Sequence, residues 1–166
     1  MTFDAEEFMV LAGTVFEATL GLAIEGDVCA SAGNRPRSIV ACIHITGGWD
    51  GAILMDCPND VARRAASIMF SKAAEETTRA DLQDAIAELL NMIGGNFKAL
   101  LPGQCFLSLP AVVEGGDYSA RVPGSTVFGK IAFGCENDIV SVVILEKVSR
   151  KVAASSEIQG SLMRDV

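Results

Sequence analysis

Between residues 82 and 97 the apolar positions Leu82, Ile86, Leu89, Ile93 and Phe97 recur at alternating spacings of four and three, which predicts a helix with one buried stripe. A second row, Asp84, Glu88, Asn91, Gly95 and Lys98, keeps the same rhythm displaced by two positions. Two residues turn a helix by about 200°, so this row faces almost directly away from the core. Thr78 with Asp81 three positions on predicts a capping-box start, and the helix runs at least to Met92 and as far as Leu100, where Pro102-Gly103 stops it. Gly94 and Gly95 would each cost about 1 kcal/mol against alanine in a helix interior, so they either end the helix or are kept for close approach.

Around this helix the pattern alternates between the two regular periods. Asp4 caps a first helix, with Glu7 three residues on, an apolar stripe of Phe8, Leu11, Val15 and Leu22, and an end near Gly21. An extended segment over 22–30 and a turn over 31–36 follow. Ser38 to Thr46 and Gly51 to Cys57 are strand candidates joined by Gly47-Gly48-Trp49-Asp50 as a hairpin. After Pro58, Asn59 is read as the cap of a helix through Val61, Ala65 and Ile68 to Ser71, with a polar joint over 72–77. Cys105 to Val113, Ser125 to Phe133 and Ile139 to Leu145 are three further strands, with a loop over 114–124 and a tight turn at Gly134 to Asp138. The hydrophobic pattern fades from Val148 onward. The expected organisation is one domain over 1–147 with a loosely held polar tail over 148–166, in the α+β class, helices packed on a largely antiparallel sheet. The segment Val15 to Gly21 echoes Ile86 to Met92, which raises a fold with pseudo-duplicated halves in which Leu20 takes the place of Asn91.

Composition narrows the partners more than the fold. The formal net charge is −8 and no basic cluster is larger than Arg63-Arg64, which argues against nucleic acid or an anionic membrane. No apolar run reaches the roughly 18 residues of a membrane span and the first residues are acidic, so a cytoplasmic protein is expected. The five cysteines are odd in number and widely separated, a pattern of reduced core thiols with no metal site. His44, the single histidine, lies between Ile43 and Ile45 without a partner nearby in sequence, which favours a structural or surface role. Trp49 reads either as an interface anchor or as a ring folded over its own hairpin.

The chemistry available is that of the polar row. An asparagine offers an acceptor and a donor on one short side chain, enough to hold and aim a water molecule where something else supplies the electrophile. Phosphoryl hydrolysis needs mainly such in-line placement and charge stabilisation. Glu88, one turn from Asn91, could pin a basic residue of a partner, Gly95 leaves room for another backbone, and Asp84 and Lys98 extend the row as contacts. On spacing alone, a row of this kind is usually just a solvated face.

Asp84-x-x-x-Glu88-x-x-Asn91, followed by Met92-Ile93-Gly94-Gly95-Asn96 and later by Ser108-Leu109-Pro110-Ala111-Val112-Val113, resembles the signature of the CheC/CheX/FliY phosphatases of bacterial chemotaxis, with the strongest likeness to CheX. The resemblance implies a CheX-like (CheC-like) fold and hydrolysis of the aspartyl phosphate of a CheY-type response-regulator receiver. It implies that Asn91 orients the water and Glu88 engages a receiver lysine, with no cofactor of the chain's own and Mg2+ in the receiver. The family's pattern also places a proline downstream of the asparagine, here Pro110 nineteen positions after Asn91, and the resemblance implies a homodimer and one working helix per chain because Leu20 carries no amide. A non-catalytic receiver-binding or scaffold module of the same fold, and a purely structural homodimer, are the alternatives.

Overall fold

The computed structural model describes residues 2–26, 37–115 and 122–148. Helix α1 spans Ala5–Leu20; the Asp4 carboxylate accepts from the backbone N–H groups of Glu6 and Glu7, and Gly21 closes the helix at φ 65° with its N–H on Glu17 O. The left-handed cap is a conformation that glycine adopts without steric cost. Phe8 and Val15 are buried as the stripe predicts, but Leu22 lies beyond the helix and Leu11 is only half-buried, their places being taken by Ala12, Phe16 and Leu20.

Strand β1 (Ile24–Glu25) is short; β2 (Ser38–Gly47) and β3 (Gly51–Pro58) form the expected hairpin. The predicted turn over 31–36 and the tail over 149–166 lie outside the described residues. Helix α2 (Asn59–Phe70) corrects one expectation: Pro58 occupies the cap position, so Asn59 is the first helical residue and no side chain caps the helix. The polar joint contains a short 3-10 turn, Ala74–Glu76, which the Arg63 guanidinium ties down by donating to Ala74 O and Thr77 Oγ1. Helix α3 spans Arg79–Lys98, with Gly94 and Gly95 inside it and not at its end. The last third holds β4 (Cys105–Leu107), β5 (Ala111–Gly115), β6 (Ser125–Cys135) and β7 (Asp138–Lys147), so the strand expected over 105–113 is interrupted.

All pairings are antiparallel, in the order β1-β6-β7-β3-β2-β4, with β5 also on β2. Strand alternation sends Ile39, Ala41, Ile43 and Ile45, with Ile53, Met55, Val142 and Ile144 from neighbouring strands, into one core with the apolar sides of the three helices. The α+β class is thus as expected, a helical layer on an antiparallel sheet. The order helix, edge strand, hairpin occurs twice: α1 precedes β1 and the β2–β3 hairpin, and α3 precedes β4, β5 and the β6–β7 hairpin. Each edge strand lies against the other hairpin, β1 on β6 and β4 with β5 on β2.

Candidate active site

Helix α3 is fixed at both ends. At its start Thr78 Oγ1 accepts from Asp81 N at 3.2 Å and Asp81 Oδ2 accepts from Thr78 N at 2.8 Å, the predicted capping box. Lys72 Nζ donates to both Asp81 oxygens, at 3.0 and 2.8 Å. This ammonium contact first, and the Thr78 backbone N–H second, hold the Asp81 carboxyl down at about 2. At its end Phe97 belongs to a closed circuit of five aromatic rings. Phe3 meets Phe8 and Phe128, Phe8 meets Phe97, and Trp49 meets Phe97 and Phe128, at centroid separations between 5.4 and 6.0 Å. Trp49 is therefore buried over its hairpin and is no surface anchor. Its indole N–H donates to Glu146 Oε1 at 2.9 Å, and its ring fills the space that a Cβ on Gly51 would need.

The five stripe residues Leu82, Ile86, Leu89, Ile93 and Phe97 are all buried, which turns the second row outward. Asp84 and Glu88 are exposed, and Asn91, Gly95 and Lys98 half-exposed. Among the described residues the side chains of Asp84, Glu88, Asn91 and Lys98 have no hydrogen-bond or ion-pair partner. Gly95 has nothing within 4 Å of the place a Cβ would occupy, so no element of the described residues explains it by close approach.

Contacts on the two flanks orient the row. A Cβ on Gly94 would lie 3.4 Å from Ile43 Cγ2 and 3.6 Å from Leu107 Cδ2, so that flank of α3 faces β2 and β4. Met92 Sδ accepts from Thr19 Oγ1 at 3.4 Å, so the opposite flank faces α1. Asn91, three residues before Gly94, is about 60° from it and leans toward the β4–β5 edge; Glu88, four before Met92, is about 40° from that residue and leans toward α1. Acid and amide thus stand side by side across the helix crest, each open to a partner.

Sequence reasoning missed the shape of the edge strand beside Asn91. Ile45 pairs with Leu107 and Cys42 with Ala111, so two residues of β2, Ile43 and His44, face three of the edge, Ser108, Leu109 and Pro110. This is a one-residue bulge that splits β4 from β5. His44 N donates to Ser108 Oγ at 3.0 Å while Ser108 N donates to His44 O at 2.9 Å, so a side-chain oxygen takes the place of the displaced strand carbonyl. The only sequence signal was Pro110, which interrupts a β-rich run.

The other candidates fall outside the site. His44 lies on the opposite face of the sheet, 3.9 Å from Cys42 Sγ. Burial raises the Cys42 thiol, raises Cys57 well above the usual range and brings Cys135 to about 11, so these remain protonated thiols at neutral pH. Among the described residues no three His, Cys, Asp or Glu side chains gather as a metal site, and no helix is long and apolar enough to cross a membrane.

Fold and site together define an α+β domain that presents, on an otherwise well-anchored helix, an acid and an amide with no partner among the described residues. The sequence profile described as chemotaxis phosphatase CheX matches residues 39–134, more than half of the chain, and the protein belongs to that family. Among solved structures, a CheX from Desulfovibrio desulfuricans superposes at a TM-score of 0.68 with 22% identity, covering 86% of this chain and 98% of that one. The CheX-CheY-BeF3-Mg2+ complex from Borrelia burgdorferi matches at 0.66 with 20% identity, over 87% and 99%. FliY from Thermotoga maritima matches at 0.53 with 16% identity, over 89% and 92%. At these identities the likenesses speak for the fold. No curated protein sequence matches the chain.

Proposed function

We propose that the protein hydrolyses the aspartyl phosphate of a CheY-type receiver, with Asn91 orienting the attacking water and Glu88 docking to a receiver lysine. The observation that carries this is the pair of uncommitted side chains on the crest of α3, in a family described as phosphatases. In this reading the receiver brings the reacting phosphorus and the Mg2+; the related complex solved with CheY contains that ion. The Asn91 amide oxygen accepts a hydrogen bond from water and its NH2 donates one toward the phosphoryl oxygens. This holds the water in line as the P–O bond to the receiver aspartate breaks, phosphate leaves and the carboxylate is restored. Glu88, flanking the amide on the α1 side, pins the receiver by its lysine; Asp84 and Lys98 extend the contact, and Gly95 lets the receiver backbone come close.

A second copy of the chain is part of the proposal. The face of the sheet opposite the helices carries Phe106, Val113 and Val127, each more than half exposed, around half-buried Leu54, Val143 and Leu145. A homodimer through this face would remove from water an apolar surface that nothing among the described residues covers. We place the protein in the cytoplasm, where receivers are phosphorylated.

The test of the catalytic reading is phosphate loss from a phosphorylated CheY-type receiver with wild-type protein and with Asn91→Ala. The wild type should accelerate loss and the variant should fall by about 100-fold or more, the scale expected when reacting groups lose their positioning. Equal rates for both proteins, neither above receiver alone, would overturn it. A stable complex with the beryllofluoride-activated receiver and no turnover would mark a binding module instead.

A further inference from the structure

We propose that the Ser108–Pro110 bulge is a second receiver-docking element, with Leu109 as its apolar anchor; the inference rests on the receiver phosphatase reading above. Leu109 is 89% exposed, the highest value among the exposed large apolar side chains of the described residues. An edge strand running regularly from Leu107 to Ala111 would have kept its residues in register with β2. The extra residue breaks that register, and the Ser108 hydroxyl stabilises the break by accepting from His44 N and donating to Leu109 O. The projection of Leu109 is thus built into the strand, a device by which bulges re-aim a side chain.

Its position relative to the site follows from two contacts. Arg79, at the start of α3, forms an ion pair with Glu114 on β5, and Gly94, near the end of α3, faces Leu107 on β4. Helix and edge strand therefore run side by side in opposite directions. From Arg79 to Gly94 the helix rises about 22 Å, and from Glu114 to Leu107 the strand covers about 23 Å, so the two stay level throughout. Leu109, about 7 Å along the strand from Leu107, comes level with a point some four to five helical residues before Gly94, which is the Glu88–Asn91 turn. Asn91 leans toward this same edge. A receiver seated over Asn91 on that flank meets Leu109, and the occupant it calls for is a small apolar depression beside the receiver's phosphorylation pocket.

The experiment uses the full chain and a CheY-type receiver that the wild type dephosphorylates. Steady-state rates and affinity for the beryllofluoride-activated receiver are compared for wild type, Leu109→Ser and Leu109→Met. Leu109→Ser should raise KM and Kd about tenfold, the scale of an interface anchor, with kcat unchanged, and Leu109→Met should restore both. Wild-type KM and Kd in Leu109→Ser would overturn the inference while leaving the phosphatase reading intact. So would a fall in kcat at constant KM, or a change confined to the oligomeric state, which would put Leu109 between copies of the chain. Failure of the wild type to act on any receiver would remove the phosphatase reading, and this one with it. Because Leu109 is exposed, thermal unfolding of the serine variant should match wild type.

Discussion

Asn91 and Asp81 lie on one helix and are used in opposite ways. Asp81 is fully engaged: its two oxygens take the Lys72 ammonium and the Thr78 N–H, and its own N–H closes the box on the Thr78 hydroxyl. Asn91 has no partner among the described residues, which adds nothing to stability and suits the water-holding role proposed for it. The titration of Asp81 makes the difference measurable. Its carboxyl titrates at about 2 in the folded chain against about 3.9 when unfolded, so its contribution is fully present above pH 4 and is lost as pH falls from 4 through 2. Urea midpoints should therefore fall more steeply for wild type than for Asp81→Asn between pH 4 and pH 2, and the two proteins should converge at the acid end. Parallel curves over that range would mean that the Lys72 contact does not hold the carboxyl down in solution.

At the scale of the element, α3 is the part of the molecule that was most legible in advance. Its cap, its buried stripe and its outward row follow from the 3.6-residue period and from Thr78 and Asp81, all local in sequence. What could not be read was where each flank of the helix would lie. Whether Asn91 leans toward the strand edge or toward α1 depends on the Gly94–Leu107 and Met92–Thr19 contacts, which no period encodes. The bulge was hidden for a similar reason: a one-residue register slip is defined only against the partner strand, and β2 is remote in sequence. The glycine pair was half legible. The helical period shows both residues as costly, but Gly94 faces the sheet at ordinary contact distance and Gly95 faces open space. Gly95→Ala should therefore raise stability by about 0.4–1 kcal/mol, since a helical alanine there meets nothing within the described residues. If the receiver backbone approaches at this point, the same change should raise KM for receiver dephosphorylation and leave kcat largely in place. A variant that is more stable and equally active would remove Gly95 from the docking row.

For the molecule as a whole, the two faces of the sheet divide the work. The helical face holds the core and closes at the end of α3 with the five-ring circuit, so α3 is clamped between a capping box and a set of aromatic contacts drawn from residues 3, 8, 97, 49 and 128. Such a clamp suits the proposed role of the Asn91 amide, since positioning a reacting water calls for a rigid support. The opposite face has no layer among the described residues, yet Leu54 sits on the central strand β3 directly across from Val143 on β7. If a second copy covers this face, Leu54→Lys should convert the dimer to a monomer in sedimentation equilibrium at micromolar concentration, because a buried ammonium at a two-fold contact would meet its own copy. The monomer should keep its secondary structure, since Leu54 does not enter the helical core. Each chain carries its own α3, so hydrolysis per chain should survive the change unless the partner also touches the receiver. A wild-type protein that is already monomeric under these conditions would leave the sheet face without the occupant proposed for it.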